Sequence, residues 1–141
     1  MTYENYIKGQ LVRFCVDEAW HERNPDSVLA IAQTLKNRVD EGWCGGDWLT
    51  VIYTAPEFVG TVRENRPSVE PRDLNFRRIL QSIDDIYYGL ANSPVNDDQG
   101  QKALYYAELH NINRDWFTET IARDPENHPM IAKVGQLNFF A

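Results

Sequence analysis

The chain has 141 residues, which is enough for one domain with a hydrophobic core and too few for two ordinary domains. Four Trp, seven Tyr and six Phe exclude an intrinsically disordered chain, and a formal net charge of -7 argues against nonspecific nucleic-acid binding. Its two cysteines, Cys15 and Cys44, are too few for a disulfide framework or a four-cysteine zinc site. We therefore expect a single domain, residues 1–141, with free thiols and no nucleic-acid partner. One bridge between Cys15 and Cys44 is the alternative that the sequence leaves open.

The first third of the chain predicts two helices that meet at Asn24–Pro25. Residues 1–23 and 26–41 both show apolar side chains at helical spacing. Asn24 is suited to cap the second helix, Pro25 to occupy its first position and Gly42 to end it. The residues that we expect to face inward are Leu11, Phe14, Cys15, Ala19, Val28, Ile31, Ala32, Leu35 and Val39.

The middle of the chain predicts loops followed by a long helix. Residues 42–71 are rich in Gly and Pro, and residues 48–53 within them fit either a helical turn or a short strand. Asp73 is suited to cap a helix that extends to about Asn92. The apolar stripe of this helix, which we expect to pack against the second helix, is Phe76, Ile79, Leu80, Ile83, Ile86, Tyr87 and Leu90.

The C-terminal part predicts a short aromatic segment at residues 102–107 and a helix at 113–122. Residues 130–140 are predicted to end in a strand. The expected fold class is therefore α+β, mainly α, with a small β element.

Two kinds of reactive site are weakly indicated. Glu18 and His21 have the spacing of a carboxylate–imidazole metal pair, but no second pair accompanies them, so we expect no metal and no cofactor. Cys15 with His110 or His128 could form the nucleophile of a cysteine amidase. A buried, unreactive thiol is favoured instead, because Asp17 and Glu18 next to Cys15 oppose a thiolate.

Glu18 is the residue on which we expect the function to depend. It lies between apolar Cys15 and Ala19 and beside Trp20, and removal from water would favour its neutral, proton-donating form. A proton-donating carboxylic acid is what cleavage of a glycosidic bond requires. The alternative that spacing alone leaves open is a solvated helix face formed by Glu18 and Glu22.

Short motifs in the chain resemble the SleB-type cell-wall hydrolases, a family of peptidoglycan-cleaving enzymes with lysozyme-like lytic transglycosylases among their relatives. That family opens with E-A-x-G-E and an apolar helix ending in N-R-V. These motifs are followed, in order, by a V-V-Y segment, a Q-F-S element, an aromatic A-L-Y-Y, a Trp and a closing I-G-x-H-x-F-Y. The matching stretches here, in the same order, are residues 18–22, 37–39, 51–53, 57–59, 103–106, Trp116 and 134–140.

The resemblance implies a lysozyme-like fold and cleavage between N-acetylmuramic acid and N-acetylglucosamine, with peptidoglycan glycan strands as partner. Glu18 would be the catalytic acid and base. Because no strong second carboxylate stands in a matching motif, we expect a lytic transglycosylase that forms a 1,6-anhydro product. The expected substrate-binding residues are Glu22, Tyr53, Glu57, Phe58, Tyr105, Tyr106 and Trp116.

Two other hypotheses remain open, and departures from the family pattern support the first of them. His21 replaces a Gly, Glu57 and Val59 replace Gln and Ser, and Leu137 replaces the closing His. A non-catalytic wall-binding or phage virion structural protein of the same fold is the first alternative. A peptidoglycan amidase that depends on Cys15 is the second.

The location expected from the sequence is that of a phage-type lysin or virion component. Residues 1–14 contain no continuous apolar run, so no signal peptide is predicted. No apolar stretch approaches the length of a transmembrane helix, so we expect no integral membrane contact. Such a protein would be synthesised in the cytoplasm and reach the cell wall through a membrane lesion or a particle.

Overall fold

The computed structural model describes residues 2–19, 24–62, 76–91, 95–96 and 100–141. This part of the chain is mainly helical and carries a small three-stranded antiparallel sheet, which confirms the predicted α+β class with a predominance of helix. Trp20, His21, Glu22 and Asp73, which figure in the predictions above, lie outside the described residues. Within the described ranges, no helix is both long and apolar enough to span a bilayer.

The first two helices are α1 (Tyr3–Ala19) and α2 (Pro25–Asp40). The predicted start of α2 is confirmed: the Asn24 side chain accepts a hydrogen bond from the Asp26 N–H at 3.0 Å, and Pro25 is the first helical residue. Gly42, just beyond the helix, has a φ of +84°, a left-handed conformation that suits glycine. Local capping chemistry therefore fixes both ends of α2.

Residues 48–53, which fitted either a helical turn or a strand, are helical. They belong to α3 (Trp48–Thr54), and the Asp47 carboxylate caps this helix by accepting a hydrogen bond from the Thr50 N–H at 3.0 Å. Hydrogen bonds from the Thr50 side chain and backbone lower the pKa of Asp47, because they stabilise its charged form. Single 3-10 turns at Trp43–Gly46 and Ala55–Phe58 flank α3.

The next helix, α4 (Phe76–Tyr87), is shorter than predicted. The expected end near Asn92 is wrong because Gly89 adopts a φ of +72° and stops the helix, with its N–H donating to the Ile86 carbonyl at 3.0 Å. The assignment of Leu80 and Leu90 to the apolar stripe is also wrong. Leu80 is 46% exposed because it lies to the side of the buried stripe, and Leu90 is 75% exposed because it follows the end of the helix.

The main core lies where α2 packs against α1 and α4. The predicted contact between two apolar stripes is confirmed: α2 and α4 are in contact, and the buried stripe residues of both helices lie in one apolar cluster. The buried members are Val28, Ile31 and Leu35 of α2 with Ile79, Ile83 and Ile86 of α4.

The sheet consists of β1 (Tyr105–Ala107), β2 (Met130–Val134) and β3 (Leu137–Phe140) in the order β1-β3-β2. The sequence predicted one strand within residues 130–140, whereas the structure has a hairpin of two, joined through Gly135 with a φ of +60°. Between β1 and β2, the predicted helix is present as α5 (Asp115–Phe117), which continues as one π-helical turn, Thr118–Ala122. A small second apolar cluster fixes this turn against the sheet.

The close approach of Gly60 to β1 gives the first testable prediction. The Gly60 N–H donates to the Tyr106 carbonyl at 3.2 Å, and a Cβ at Gly60 would lie 2.7 Å from the Phe117 ring and 2.8 Å from the Ala107 Cβ. We therefore expect Gly60→Ala to lower the free energy of unfolding by about 1–3 kcal/mol, measured by urea denaturation.

Gly9→Ala is the matched control for this prediction. Gly9 lies inside α1 with nothing within 4 Å of the added methyl group. Alanine is preferred over glycine in a helix, so this variant should gain about 0.5–1 kcal/mol. Equal stability of Gly60→Ala and the wild type would contradict the packing described here.

Candidate functional site

Glu18 lies in the last turn of α1, and only 3% of the residue is exposed to solvent. Cys15 and Ala19, its neighbours on the helix, are fully buried. The structure thus places Glu18 in the desolvated environment that its apolar neighbours predicted. It is buried more deeply than a residue on the open wall of a groove would be.

Tyr106, in β1, places its hydroxyl next to Glu18. The residue is fully buried, and burial raises the pKa of Tyr106 well above its ordinary value. The charge of Glu18 raises that pKa further, while Arg38 lowers it. Among the residues that the structure describes, this hydroxyl has no hydrogen-bond partner.

Arg38, near the end of α2, is the largest polar side chain at this site and is fully buried. Its Nε donates to the Leu104 carbonyl at 2.8 Å, and its Cζ lies 5.0 Å from the Trp43 ring centre and 5.7 Å from that of Phe58. Burial lowers the pKa of Arg38 to about 10, although the neighbouring Tyr106, Tyr105, Glu18 and Cys44 favour its charged form. Arg38 therefore remains a cation at neutral pH.

The two terminal nitrogens of Arg38 have no hydrogen-bond partner among the residues that the structure describes. Glu18 and Tyr106 are the other polar side chains of this cluster, and both interact electrostatically with Arg38. A buried carboxyl, a buried phenol and a buried guanidinium thus lie within electrostatic range of one another. We call Glu18, Arg38 and Tyr106 the buried polar cluster.

Half-buried aromatic rings border the buried polar cluster. The Trp43 ring centre lies 5.0 Å from that of Phe58 and 5.6 Å from that of Tyr105, and the Phe58 and Trp116 centres are 6.3 Å apart. All three pairs meet edge to face, the geometry that aromatic rings prefer in proteins. We call Trp43, Phe58, Tyr105 and Trp116 the aromatic cluster.

Two neighbouring residues of α2 bring β1 to this place. The Asn37 amide donates to the Ala103 carbonyl at 2.9 Å, and Arg38 bonds the next carbonyl along the chain. The Gln33 side chain in turn donates to the Asn37 side chain at 2.9 Å. The strand that follows therefore starts at a fixed point on α2, which puts Tyr105 and Tyr106 beside Arg38.

The predicted substrate-binding residues do not all come together. Phe58, Tyr105, Tyr106 and Trp116 lie in the two clusters, whereas Glu22 is outside the described residues. Glu57 is exposed, and its backbone carbonyl accepts a hydrogen bond from Arg114.

Tyr53 is 89% exposed and lines a separate open groove of about 260 Å³ between α1 and α3. Phe14, which also lines this groove, lies one helical turn before Glu18. The groove therefore runs along α1 as far as Asp17, and its lining does not include the buried polar cluster.

Arg38 and Trp43 are the site residues that sequence reasoning did not select. Arg38 continues the helical spacing of Val28, Ile31 and Leu35, so it carries a charge on an apolar stripe. A charge at such a position indicates a buried, functional or paired side chain, and it could have been noticed. Trp43 follows α2 in a glycine-rich turn and offers no comparable local signal.

The Cys15 hypothesis finds little support in the geometry. Cys15 is fully buried, and both desolvation and the charge of Glu18 raise its pKa well above the ordinary value, so the thiol is neutral. His110 contacts Glu108. His128 contacts the Tyr105 ring and the Ala141 carbonyl. Within the described ranges, no group of three or more possible metal ligands is found.

Comparison with known proteins finds no family model, no curated protein and no solved structure that matches this chain. The resemblance to cell-wall hydrolases therefore depends on the short motifs alone.

Proposed function

We propose that this chain is a peptidoglycan glycosidase with a lysozyme-like fold, which cleaves glycan strands between N-acetylmuramic acid and N-acetylglucosamine. One observation carries the proposal: the desolvated carboxyl of Glu18 shares a buried polar cluster with Tyr106 and Arg38, beside a row of aromatic rings. A carboxyl group in such surroundings is suited to donate and recover a proton.

In the first step, Glu18 in its acid form protonates the glycosidic oxygen, and the bond from this oxygen to the anomeric carbon of the muramoyl residue breaks. The anomeric carbon acquires positive charge in the transition state. Glu18 becomes a carboxylate, which the Tyr106 hydroxyl and the Arg38 cation stabilise. The low polarity around Cys15 and Ala19 strengthens these interactions, since they are little screened by water.

In the second step, the 6-hydroxyl of the same muramoyl residue attacks the anomeric carbon, and Glu18 takes its proton. The product is a 1,6-anhydro sugar, and Glu18 is again an acid. The cluster described around Glu18 contains an arginine, a tyrosine and a cysteine. This composition favours a route in which the substrate supplies its own nucleophile over one that needs a second carboxylate.

The aromatic cluster would hold the sugar rings. Half-buried Phe58, Tyr105 and Trp116 offer large apolar surfaces, and Tyr105 and Trp116 add polar groups that can form hydrogen bonds. These are the properties with which proteins bind amphipathic ligands. Tyr53, on the neighbouring groove, would contact a more distant part of the glycan strand.

The products of digestion test this proposal. Purified peptidoglycan treated with the wild-type chain should release muropeptides with anhydromuramic ends, about 18–20 Da lighter than hydrolysed ends because no water is added. Mass spectrometry after borohydride reduction distinguishes the two, since only hydrolysed ends are reducible. If the released muropeptides carry reducible ends alone, the enzyme is a hydrolase and needs a second catalytic group.

A second candidate, a wall-binding protein of the same fold without catalysis, is favoured by two particular positions. Val59 and Leu137 stand where the resembled family has Ser and His, and both are buried in the core. Val59 forms a bridge with Tyr106, and Leu137 belongs to β3, so both contribute packing here. Sedimentation with insoluble peptidoglycan and no release of soluble fragments would support this candidate.

A further inference from the structure

The groove between α1 and α3 carries a pair of opposite charges that the proposed function does not use. We propose that this groove binds the stem peptide of peptidoglycan, the short peptide attached to each muramoyl residue, through a diaminopimelyl side chain. That side chain ends in an ammonium and a carboxylate on one carbon atom. The choice of peptidoglycan as the carrier of this group rests on the proposed function, but binding of the group can be measured without any cleavage.

Two helices form the walls of the groove. The lining residues of α1 lie three or four positions apart, which puts them on one face of the helix; they are Gln10, Arg13, Phe14 and Asp17. The opposite wall includes Ile52 and Tyr53 of α3. Because both walls are regular helices, the backbone holds these side chains at a fixed spacing, as a specific binding site requires.

Arg13 and Asp17 give the α1 wall one positive and one negative charge. They are one helical turn apart, roughly 5–6 Å between their Cβ atoms, a distance at which opposite charges on a helix can pair. Within the part of the chain that the structure describes, neither side chain forms an ion pair or a side-chain hydrogen bond. A basic residue that precedes the acidic one is the less favourable order for such a pair. Both charged groups are therefore available to a ligand.

The rest of the groove is largely apolar and small. Phe14 is half-buried and Ile52 is buried, whereas the Tyr53 ring stands exposed at the edge. The volume of about 260 Å³ lies just below the range of small-ligand pockets, roughly 300–1,000 Å³. A groove of this size suits one amino-acid side chain with a few methylene groups, and it is too small for a run of sugar rings.

An amino-acid head group matches the two charges. The Arg13 guanidinium can donate two parallel hydrogen bonds to a carboxylate, and the Asp17 carboxylate can accept from an ammonium. A diaminopimelyl residue presents such a head group at the end of three methylene groups, which would lie on Phe14 and Ile52. The Gln10 amide, which both donates and accepts, is suited to bond a peptide group of the stem.

The same chemistry predicts a preference between two kinds of cell wall. A lysyl residue in the stem peptide has a similar chain and the ammonium, but it lacks the carboxylate that Arg13 would bind. Tyr53 would contact the peptide carried by the more distant part of the glycan strand. We therefore expect the groove to distinguish diaminopimelyl from lysyl stem peptides through Arg13.

Two tripeptides that differ by one carboxylate test this expectation: N-acetyl-alanyl-γ-glutamyl-diaminopimelate and the same peptide with lysine at the third position. Backbone amide signals of the ¹⁵N-labelled chain are followed by NMR as each peptide is added. The wild type should bind the diaminopimelyl peptide at least about threefold more tightly, the usual effect of a partly exposed ion pair. The largest shifts should be those of Phe14, Asp17 and Tyr53.

Arg13→Gln should bind the two tripeptides equally, because the charge that distinguishes them is gone. Arg13 is exposed, so this variant should fold like the wild type. Arg123→Gln is the matched control: Arg123 carries the same charge at an exposed position after the π-helical turn, and its loss should leave the preference unchanged.

Asp17→Asn tests the other half of the charge pair. Acetylation of the side-chain ammonium of the diaminopimelyl tripeptide should weaken its binding to the wild type by at least about threefold. The same acetylation should have little effect on binding to Asp17→Asn, which has already lost the anionic partner. Asparagine has nearly the same size as aspartate, so the shape of the groove is kept.

Four results would overturn the assignment. One is equal binding of the two tripeptides by the wild type, and another is a set of shifts confined to residues outside the groove. Free alanine that binds as tightly as the tripeptide would make an amino acid, not a stem peptide, the ligand. Peptide-free glycan strands that shift the same groove residues would make the groove a sugar-binding site.

The assignment and the proposed function can fail separately. A chain that binds the diaminopimelyl tripeptide through Arg13 but cleaves no peptidoglycan defeats the proposed function and supports the groove assignment. A chain that cleaves peptidoglycan but binds both tripeptides equally does the reverse. If both hold, the wild type should cleave diaminopimelyl peptidoglycan faster than lysyl peptidoglycan, and Arg13→Gln should remove this difference.

Discussion

Glu18→Gln is expected to fold like the wild type and to lose at least about 10²-fold in the rate of peptidoglycan cleavage, the usual contribution of a positioned general acid. Glutamine has the size and hydrogen-bonding capacity of the neutral acid, so the buried site next to Cys15 and Tyr106 remains filled. Its amide is far too weak an acid to protonate the leaving oxygen. The loss should therefore appear in the rate and not in binding to insoluble peptidoglycan.

Glu119→Gln is the control for this variant. The chemical change is the same, and Glu119 is exposed on the π-helical turn. The rate is measured as the fall in turbidity of permeabilised bacteria, and folding as the melting temperature. A Glu18→Gln variant as active as wild type would defeat the catalytic proposal and leave the wall-binding protein as the better account.

Leu35→Ala is expected to lower the free energy of unfolding by about 2–5 kcal/mol, which is a large part of the stability of a small domain. Leu35 is fully buried in the apolar cluster that joins α2 to α1 and α4. Truncation removes three methylene-sized groups and leaves a cavity that fully packed helices cannot close. Urea denaturation followed by tryptophan fluorescence measures the effect.

Leu80→Ala provides the comparison for Leu35→Ala. It makes the same change in α4, but Leu80 is 46% exposed, so we expect a loss within about 0.5 kcal/mol. Similar losses for the two variants would mean that the side of α4 facing α2 has been assigned wrongly. The pair thus also tests the correction made above to the apolar stripe.

The sequence by itself determined the features that depend on residues within one or two helical turns of each other. Asn24 and Pro25 start α2, and the apolar spacing of α2 and α4 predicted which faces would meet. The free state of Cys15 and Cys44 and the burial of Cys15 were also predicted, as was the desolvated setting of Glu18. These outcomes follow from helical periodicity and capping, which act locally along the chain.

The tertiary structure alone decided which distant residues share the site. Arg38 lies within electrostatic range of Glu18 and Tyr106, and Asn37 and Arg38 bond successive carbonyls before β1, a contact between segments far apart in the sequence. The same packing leaves Tyr53 on a separate groove and brings Trp43 over the guanidinium. Periodicity shows which face of a helix is buried, but it carries no information about which strand or turn covers that face. That choice was made by the long-range hydrogen bonds and ring contacts of the folded chain.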